Sequence, residues 1–469
     1  PLGVGWLYDV ACTSLNAGLG KKRGKDKNMN FKSYVISWNI TRLCNEHCQH
    51  CYIHASPFAD RARELSTEEC FRIVDQLREV NPGALLILTG GEPLLRKDVF
   101  EISRYATEAG FMVVMGTNGT IVSPERAAMM KINGIRGVAV SIDSLDEAKH
   151  DSFRGYRGAW ANSVRGMQVL TEAGLPFIVQ TTVTQQNYEE IEAIAEFAAA
   201  RGAKVFNLYF LVPTGRGAFM TNITPDEYET LMHRLLAMQP KFTGRMLVNA
   251  KCAPHYQRVL WEHDPASPFL KGFVGAGGCP AGTHYVGITP DGDVTPCPYL
   301  PQYGGNLREQ TFAEIWNNSE LFVSLRQRKA LGGRCGECEF NTMCGGCRAR
   351  AYGATGDYLA EDPWCVYQPG QHGLIQILPS QSESYGVEIE FQMPWTATAM
   401  ERLERVPAFV RGMVVRQIEE AARAEGLTEV TPGLMIKIRE GIGNRVAMVP
   451  RFVRDMVAGG KDTDQKEAE

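Results

Sequence analysis

The sequence lacks the features that would place the protein in a membrane or on a nucleic acid. It has no apolar run of membrane-spanning length, and no tract rich in lysine or arginine exceeds a few residues. The formal net charge of the 469 residues is −4. The first twenty residues are mildly apolar but have no basic start, unlike a signal peptide. We therefore expect a cytoplasmic protein with no membrane span and no nucleic-acid partner.

Cysteine, by contrast, is abundant, since the chain has thirteen. Without an export signal, so many thiols in a long chain indicate metal ligands kept in a reducing compartment rather than disulfides. The hydrophobic fraction of 44% is ordinary for a globular protein, and the length favours two or three domains.

Three of the cysteines form a compact group early in the chain. Cys44, Cys48 and Cys51 are separated by three and then two residues, and Tyr52 follows directly. Three neighbouring thiolates can hold three corners of a cubic iron–sulfur cluster and leave one iron open, as catalytic metal sites do. A zinc site or unrelated buried thiols are the alternatives.

A second motif follows the apolar run 85–88, which is typical of a strand. It consists of Gly90, Gly91, Glu92 and Pro93. Two glycines allow a backbone to approach a ligand closely, and the Glu92 carboxylate can accept hydrogen bonds from an ammonium group. Taken alone, the segment is also an ordinary turn at a strand end.

Together, the two motifs resemble the signature of the radical S-adenosylmethionine (SAM) enzymes. The resemblance implies a [4Fe–4S] cluster on the three cysteines, whose open iron chelates SAM, and a Gly-Gly-Glu-Pro segment that holds the SAM amino group. It also implies SAM contacts at other positions, where a turn, strand or surface role is the alternative. These positions are Tyr52, Asn118, Ser141, Asp143, Arg154, Gln180 and Thr182. Arg216 is a candidate partner for a substrate carboxylate, with a solvated loop arginine as the alternative.

Residues 34–210 alternate between strand and helix patterns. Helix signals include a capping box that runs from Ser66 to Glu69. Six βα units predict parallel strands, and the resemblance implies an α/β fold with a partial (β/α)6 TIM-like barrel. The predicted strands are Tyr34–Ile40, Ala84–Leu88, Phe111–Met115, Gly137–Ile142, Phe177–Val183 and Val205–Phe210.

Residues 252–365 form a region rich in cysteines and loops. Its spacing resembles the SPASM extension of radical SAM enzymes, although the last gap has two residues where the family usually has three. The resemblance implies two auxiliary [4Fe–4S] clusters, and hence three in all. One would be held by Cys335, Cys338, Cys344 and Cys365, and the other by Cys279, Cys297 and Cys347. Cys252 is a candidate fourth ligand of the second cluster, with an open iron as the alternative. For the region as a whole, a pair of zinc knuckles is the alternative.

The end of the chain has a different character. A connector at 370–393 precedes a small helical domain at 394–450 and a charged tail at 451–469. The stretch from Trp395 to Thr431 resembles the C-terminal domain of the light-independent protochlorophyllide reductase B subunit, which acts on a tetrapyrrole. The remaining predicted divisions are an N-terminal extension at 1–33, a radical SAM core at 34–240 and a SPASM domain at 241–369.

The catalytic region resembles, more narrowly, the radical SAM/SPASM proteins of the alternative heme and d1-heme pathways. The segments 214–217, 344–352 and 360–365 carry that match. It implies an enzyme that forms a 5′-deoxyadenosyl radical and oxidises or decarboxylates side chains of an iron tetrapyrrole, with electrons from a donor such as ferredoxin or flavodoxin. A peptide maturase is a second interpretation, and a non-catalytic iron–sulfur electron-transfer protein is a third.

Overall fold

The computed structural model describes residues 33–265, 278–373, 375, 391–404 and 408–445. Nearly all of the predicted N-terminal extension, most of the connector and the charged tail therefore lie outside the described residues. No helix in these ranges is long and apolar enough to cross a membrane.

One sheet organises the catalytic part of the chain. Within the described ranges it has ten strands, in the order β10-β9-β8-β1-β2-β3-β4-β5-β6-β7. The first seven are β1 (Val35–Asn39), β2 (Leu85–Thr89), β3 (Met112–Thr117), β4 (Val138–Ser141), β5 (Phe177–Val183), β6 (Val205–Phe210) and β7 (Leu247–Lys251). The last three are β8 (Tyr285–Ile288), β9 (Asp293–Thr295) and β10 (Gly305–Asn306).

The strands from β8 through β1 to β7 are all parallel, and they form the partial (β/α) barrel. β9 and β10 then extend the sheet as antiparallel strands. All six predicted strands are present, but two more parallel strands flank them, because β7 adds beside β6 and β8 beside β1. The sheet thus runs without interruption across the predicted boundary at 240/241.

Helices follow most strands of the barrel. They are α1 (Thr67–Val80), α2 (Val99–Glu108), α3 (Pro124–Ile132), α4 (Glu147–Arg154), α5 (Ala159–Glu172), α6 (Ile191–Ala200), α7 (Pro225–Phe242) and α8 (Tyr256–His263). The predicted capping box is confirmed, since Ser66 accepts from the backbone of Glu69 and the Glu69 side chain accepts from Ser66. Satisfying these end groups fixes where α1 begins.

The described part of the cysteine-rich region contains four further α-helices, and that of the C-terminal module contains three. The former are α9 (Phe312–Asn318), α10 (Glu320–Leu325), α11 (Gly333–Glu337) and α12 (Arg348–Thr355), and the latter are α13 (Ala397–Glu404), α14 (Ala408–Ala424) and α15 (Pro432–Arg445). The module has a small core of its own that includes Ala399, Ile418 and Leu434. Glu419 is buried there and accepts hydrogen bonds from the backbone of Gln392 and the indole of Trp395.

The strands are buried on both faces, as expected for parallel strands covered by helices. One cluster of buried side chains, including Trp38 and Leu88, packs among the strands and helices of the barrel. A second cluster joins Val35 and Ile178 of the strands to Cys297 and other cysteines of the later region. The cysteine-rich region is therefore packed directly onto the sheet.

Candidate active site

The early cysteine triplet lies on the loop between β1 and α1. Backbone N–H groups donate to two of the sulfurs, from Glu46 to Cys44 (3.4 Å) and from Ala55 to Cys51 (3.3 Å). Burial raises the pKa of the Cys44 thiol to about 12. A thiolate at this position therefore needs a cationic partner such as iron, and the sulfur-directed donors fit that use of the loop.

The Gly-Gly-Glu-Pro segment packs against this loop at backbone distance. A Cβ at Gly90 would lie 2.5 Å from the Thr41 carbonyl oxygen, and one at Gly91 would lie 2.3 Å from that of Leu43. The two glycines thus make room for the chain that leads to Cys44, and this contact, rather than a ligand, explains why side chains are excluded there. The Gly91 N–H donates to Thr41 and fixes the two segments together.

The Glu92 carboxylate is completely buried at the base of the site. It accepts hydrogen bonds from the Leu94 N–H (3.1 Å), the Thr117 hydroxyl (2.8 Å) and the Asn118 N–H (2.9 Å). Burial raises its pKa to about 6 despite these donors. Pro93 begins the short 3-10 turn that follows. Because Glu92 follows β2 and accepts hydrogen bonds from Thr117 and Asn118, it holds the ends of β2 and β3 together.

Asn118 connects the end of β3 to the cysteine loop. Its amide nitrogen donates to Asn45 (2.9 Å) and lies 3.9 Å from the Cys44 sulfur. The predicted SAM contact at Asn118 therefore stands beside the first cysteine, and it stays a prediction.

Arg154 pairs with carboxylates of the protein, and its predicted SAM contact stays a prediction. Its guanidinium pairs with the buried carboxylate of Asp143, and it lies 3.8 Å from both a carboxylate oxygen of Glu46 and the sulfur of Cys48. Burial alone would raise the pKa of Asp143, yet attraction to Arg154 leaves that pKa below its ordinary value. Burial raises the pKa of Glu46 to about 7, although Arg154 opposes the rise. Arg154 thus neutralises protein carboxylates instead of presenting a free guanidinium to a ligand.

The ends of β4 and β5 lie side by side, because Ser141 pairs with Gln180 across the two strands. Thr182 donates its N–H to the Asp143 carboxylate (2.8 Å), and Gln180 donates its amide to the Tyr209 hydroxyl (3.2 Å). The structure therefore places these four predicted positions at one edge of the sheet, close to Arg154.

Tyr52 links the cysteine loop to the later region. Its hydroxyl donates to Asn39 at the end of β1 (2.7 Å), and its ring centroid lies 4.7 Å from that of Tyr299. Tyr209 also approaches Tyr299, with centroids 6.3 Å apart. Three aromatic rings thus bridge the barrel and the cysteine-rich region.

Arg216 contacts the cysteine loop. Its Nε donates to the Cys48 carbonyl (2.8 Å) and its Nη2 to the Ala55 carbonyl (3.0 Å). The preceding Gly215 has a positive φ of 57°, and a Cβ there would lie 2.5 Å from the Cys51 carbonyl oxygen. The guanidinium therefore holds the cysteine loop in place, and the substrate-carboxylate contact stays a prediction.

The later cysteines separate into two groups in the structure. Cys335, Cys338, Cys344 and Cys365 line one pocket, together with His255 and Asp362. Backbone N–H groups donate to three of their sulfurs, from Phe340 to Cys338, from Gly346 to Cys344 and from Asp362 to Cys335. The grouping is the one that the family pattern implies for one auxiliary cluster.

Cys279, Cys297 and Cys347 share the second cluster of buried side chains, and Cys252 packs against it. A hydrogen bond from Cys347 lowers the pKa of the Cys279 thiol. Cys252 has a positive φ of 56°, which non-glycine residues rarely adopt, and the Arg350 guanidinium donates to its carbonyl (2.6 Å). A strained backbone of this kind is common at functional sites.

Zinc would require a tighter arrangement. Four sulfurs bound to one zinc ion at about 2.3 Å lie within about 4 Å of one another. Among the described residues, no group of three His, Cys, Asp or Glu side chains could hold a single metal ion. This argues against the zinc knuckles.

Several charged residues of the site were not predicted from the sequence. Glu46 lies inside the cysteine triplet, and Asp362 precedes Cys365 by three positions. Arg348 directly follows Cys347, and Arg350 lies two positions further on. All four are buried. A charged residue between or beside closely spaced cysteines is the signal that would have identified them.

Comparisons with known proteins agree with this geometry. The family model of the radical SAM superfamily matches residues 38–198, that of an iron–sulfur cluster-binding domain (SPASM) matches 279–339, and that of the proto-chlorophyllide reductase 57 kD subunit matches 395–439. The chain is 42% identical to the AdoMet-dependent heme synthase of Methanosarcina barkeri, over 72% of this chain and 97% of that protein. The chain belongs to the radical SAM superfamily. It is an enzyme with a SPASM iron–sulfur region, so the resemblance stated from the motifs is confirmed.

Two further relatives of this radical SAM enzyme bear on its activity and fold. The Fe-coproporphyrin III synthase of M. barkeri is 33% identical over 74% of this chain and 90% of that protein. The crystal structure of SuiB from Streptococcus suis bound to S-adenosylmethionine has a TM-score of 0.58 and 15% identity, covering 72% of this chain and 78% of that one. The second comparison supports the fold alone.

Proposed function

We propose that this radical SAM enzyme oxidises or decarboxylates acetate or propionate side chains of an iron tetrapyrrole, in heme or d1-heme type biosynthesis. The similarity to a heme synthase across almost the whole of that relative carries the proposal. The second relative named above, an Fe-coproporphyrin III synthase, points to the same substrate class.

We assign the cysteines to three proposed [4Fe–4S] clusters. Cys44, Cys48 and Cys51 would hold the cluster that binds SAM, and the two later groups would hold the auxiliary clusters. When bound, clusters and SAM supply one-electron chemistry, namely reductive cleavage of SAM, abstraction of a hydrogen atom from the substrate side chain, and uptake of the electron that is released with carbon dioxide. An external one-electron donor of the ferredoxin or flavodoxin type completes the balance.

The chain's own residues prepare this chemistry by fixing the loop that carries the first cluster. Glu92 and Asn118 hold it from the β2 and β3 ends, Arg154 from the β4 side, and Arg216 from the loop after β6. A loop held from four directions places the reacting groups with little freedom, and such positioning lowers the barrier of a radical step. The buried setting also excludes water.

The C-terminal module is proposed to serve tetrapyrrole handling. Its family model matches a protochlorophyllide reductase subunit, and its described core contains only its own residues. Deleting residues 394–469 should therefore leave SAM cleavage without substrate intact while it slows turnover of the tetrapyrrole. Equal turnover by the full chain and the shortened chain would exclude this role.

The test of the function is direct. Reduced full-length enzyme is incubated under argon with SAM and either iron-coproporphyrin or didecarboxysiroheme, and products are followed by mass spectrometry. We expect a loss of about 46 mass units, equal to carbon dioxide and two hydrogens, for each side chain that is oxidatively decarboxylated, with about one 5′-deoxyadenosine formed per event. A cysteine-bearing peptide is the control substrate. Deoxyadenosine coupled to the peptide, without tetrapyrrole binding, would favour the peptide maturase instead.

A further inference from the structure

Arg348 touches both groups of later cysteines. Its backbone N–H lies near the Cys279 sulfur and helps to lower the pKa of that thiol, and its Nη2 lies 3.7 Å from the Cys335 sulfur. The side chain is almost completely buried, at 1% exposure. One residue therefore stands between the two proposed auxiliary clusters and contacts a ligand of each.

The charge of Arg348 has no carboxylate partner in the part of the chain that the structure describes. Its other contacts are the carbonyl oxygens of Gly346 (3.3 Å), Tyr358 (3.0 Å) and Ala360 (2.6 Å). Other arginines of this region are neutralised, since Arg350 pairs with Asp362 at 2.9 Å and Arg334 with Glu361 at 3.0 Å. A buried guanidinium without an anion is strongly unfavourable, so a negative group is expected beside it.

A second arginine repeats the pattern. Arg328 donates from Nη2 to the Cys279 carbonyl (2.9 Å), and no ion pair to it occurs within the described ranges. Burial lowers its pKa, the direction expected for a cation without a carboxylate. Its Nη1 lies beside Gly345, between Cys344 and Cys347.

Gly346 makes the approach of Arg348 possible. A Cβ there would lie 2.6 Å from Arg348 Nη2 and 2.9 Å from the Cys335 sulfur, and the residue has a positive φ of 63°. The turn between Cys344 and Cys347 therefore leaves space for a guanidinium against a thiol, where a side chain would separate them.

We propose that Arg348, supported by Arg328, is the shared counter-cation of the two auxiliary clusters and raises the reduction potential of both. The inference rests on the proposed function, since it requires that both clusters are bound. Each cluster becomes more negative by one charge when it takes up an electron. A fixed cation in a poorly screened interior stabilises that reduced form more than the oxidised form.

The test is a redox titration of the reconstituted full-length protein, followed by electron paramagnetic resonance, with iron content measured in parallel. In Arg348→Gln we expect the equilibrium constant for reduction of each auxiliary cluster to fall about tenfold, or about 59 mV for a one-electron couple. Arg348→Lys keeps the charge and should recover most of the potential. Arg334→Gln is the matched control, because Glu361 and solvent already offset that charge, and its effect should be clearly smaller.

The outcomes separate the inference from the function on which it rests. A wild-type protein without auxiliary-cluster signals would contradict the proposed function itself. Intact iron content in Arg348→Gln with unchanged potentials would overturn the role of Arg348. If Arg348→Gln loses iron, the same titration is carried out on Arg328→Gln. The proposal then requires a lower reduction potential for the cluster held by Cys279, and an unchanged potential rejects it.

Discussion

The two cysteine regions offer the same type of ligand, but the balance of acidic and basic side chains around them is opposite. Around the first triplet the buried acids Glu46, Glu92 and Asp143 outnumber the arginines, Arg154 and Arg216. Between the later groups the balance is reversed, because Arg328, Arg348 and Arg350 face a single buried acid, Asp362. Acidic surroundings disfavour the addition of an electron, and basic surroundings favour it.

This difference matches the two tasks in the proposed reaction. The cluster that cleaves SAM must be a strong reductant, while a cluster that accepts the electron released from substrate must be a weaker one. Charge placement around chemically identical ligands can tune reduction potential in both directions. The predictions below test the two halves of this contrast.

The largest expected effect comes from removing the first triplet. Changing Cys44, Cys48 and Cys51 together to Ala should remove about four irons and abolish 5′-deoxyadenosine formation, because these three thiolates would hold the cluster whose open iron chelates SAM. Iron analysis and a product assay check this, and the auxiliary signals should remain. Deoxyadenosine formation by this variant would show that the SAM-binding cluster lies elsewhere.

Breaking the charge balance around the triplet should mainly affect stability. Arg154→Gln leaves Asp143 and Glu46 buried without their cation, and we expect a loss of about 3–5 kcal/mol in the free energy of unfolding. The midpoint of urea unfolding measures it. The control is Arg234→Gln, which removes a partly exposed partner of Glu192 and should cost about 0–1 kcal/mol. Equal effects in the two variants would contradict a buried ion pair.

The next prediction concerns the later cysteine region and the fourth ligand of one of its auxiliary clusters. We propose that Cys252 ligates the cluster held by Cys279, Cys297 and Cys347. Cys252→Ser should then alter the electron paramagnetic resonance of that cluster without substrate. Cys70→Ser is the control, because its buried sulfur contacts Arg96 and belongs to neither group of later cysteines. A substrate-dependent change that Cys252→Ser does not affect would indicate an open iron instead.

The smallest effect is expected at Arg216. A lysine can reach one of the two carbonyls that Arg216 contacts, so Arg216→Lys loses about one hydrogen bond and slows SAM cleavage roughly fivefold. The KM for the tetrapyrrole should not change. Arg216→Ala should be slower still. A raised KM with normal SAM cleavage would restore the predicted role as a substrate-carboxylate partner.

Much of this architecture could be predicted because its signals are local. Apolar runs located β5 (Phe177–Val183) and β6 (Val205–Phe210) with the bounds that the structure shows. The four residues of β8 were missed, because such a short run is ambiguous and its partner β1 lies about 250 positions earlier. An apolar pattern in the sequence indicates that a strand exists, but it does not show with which strand it pairs.

The site shows the same limit. Cysteine spacing within 44–51 and 335–347 identified the candidate ligands, because those thiols are neighbours in the chain. Arginine partners are set by tertiary contacts, so the sequence could not show that the Arg154 guanidinium pairs with Asp143 or that the Arg216 guanidinium donates to backbone carbonyls. The opposed charge balance of the two regions appears only once the folded neighbours are known.

The position of β8 beside β1 has a consequence for biosynthesis. Among the described strands, β1 is the first to leave the ribosome, yet one of its two neighbours is not made until residues 285–288 have been translated. Until then the strand that leads to the triplet has an open edge, which invites mispairing with other chains. Truncation anywhere before β8 would leave that edge permanently exposed. We therefore expect fragments that end near residue 240 to aggregate. We also expect the cysteine loop after β1 to reach its final structure only once β8 has been translated.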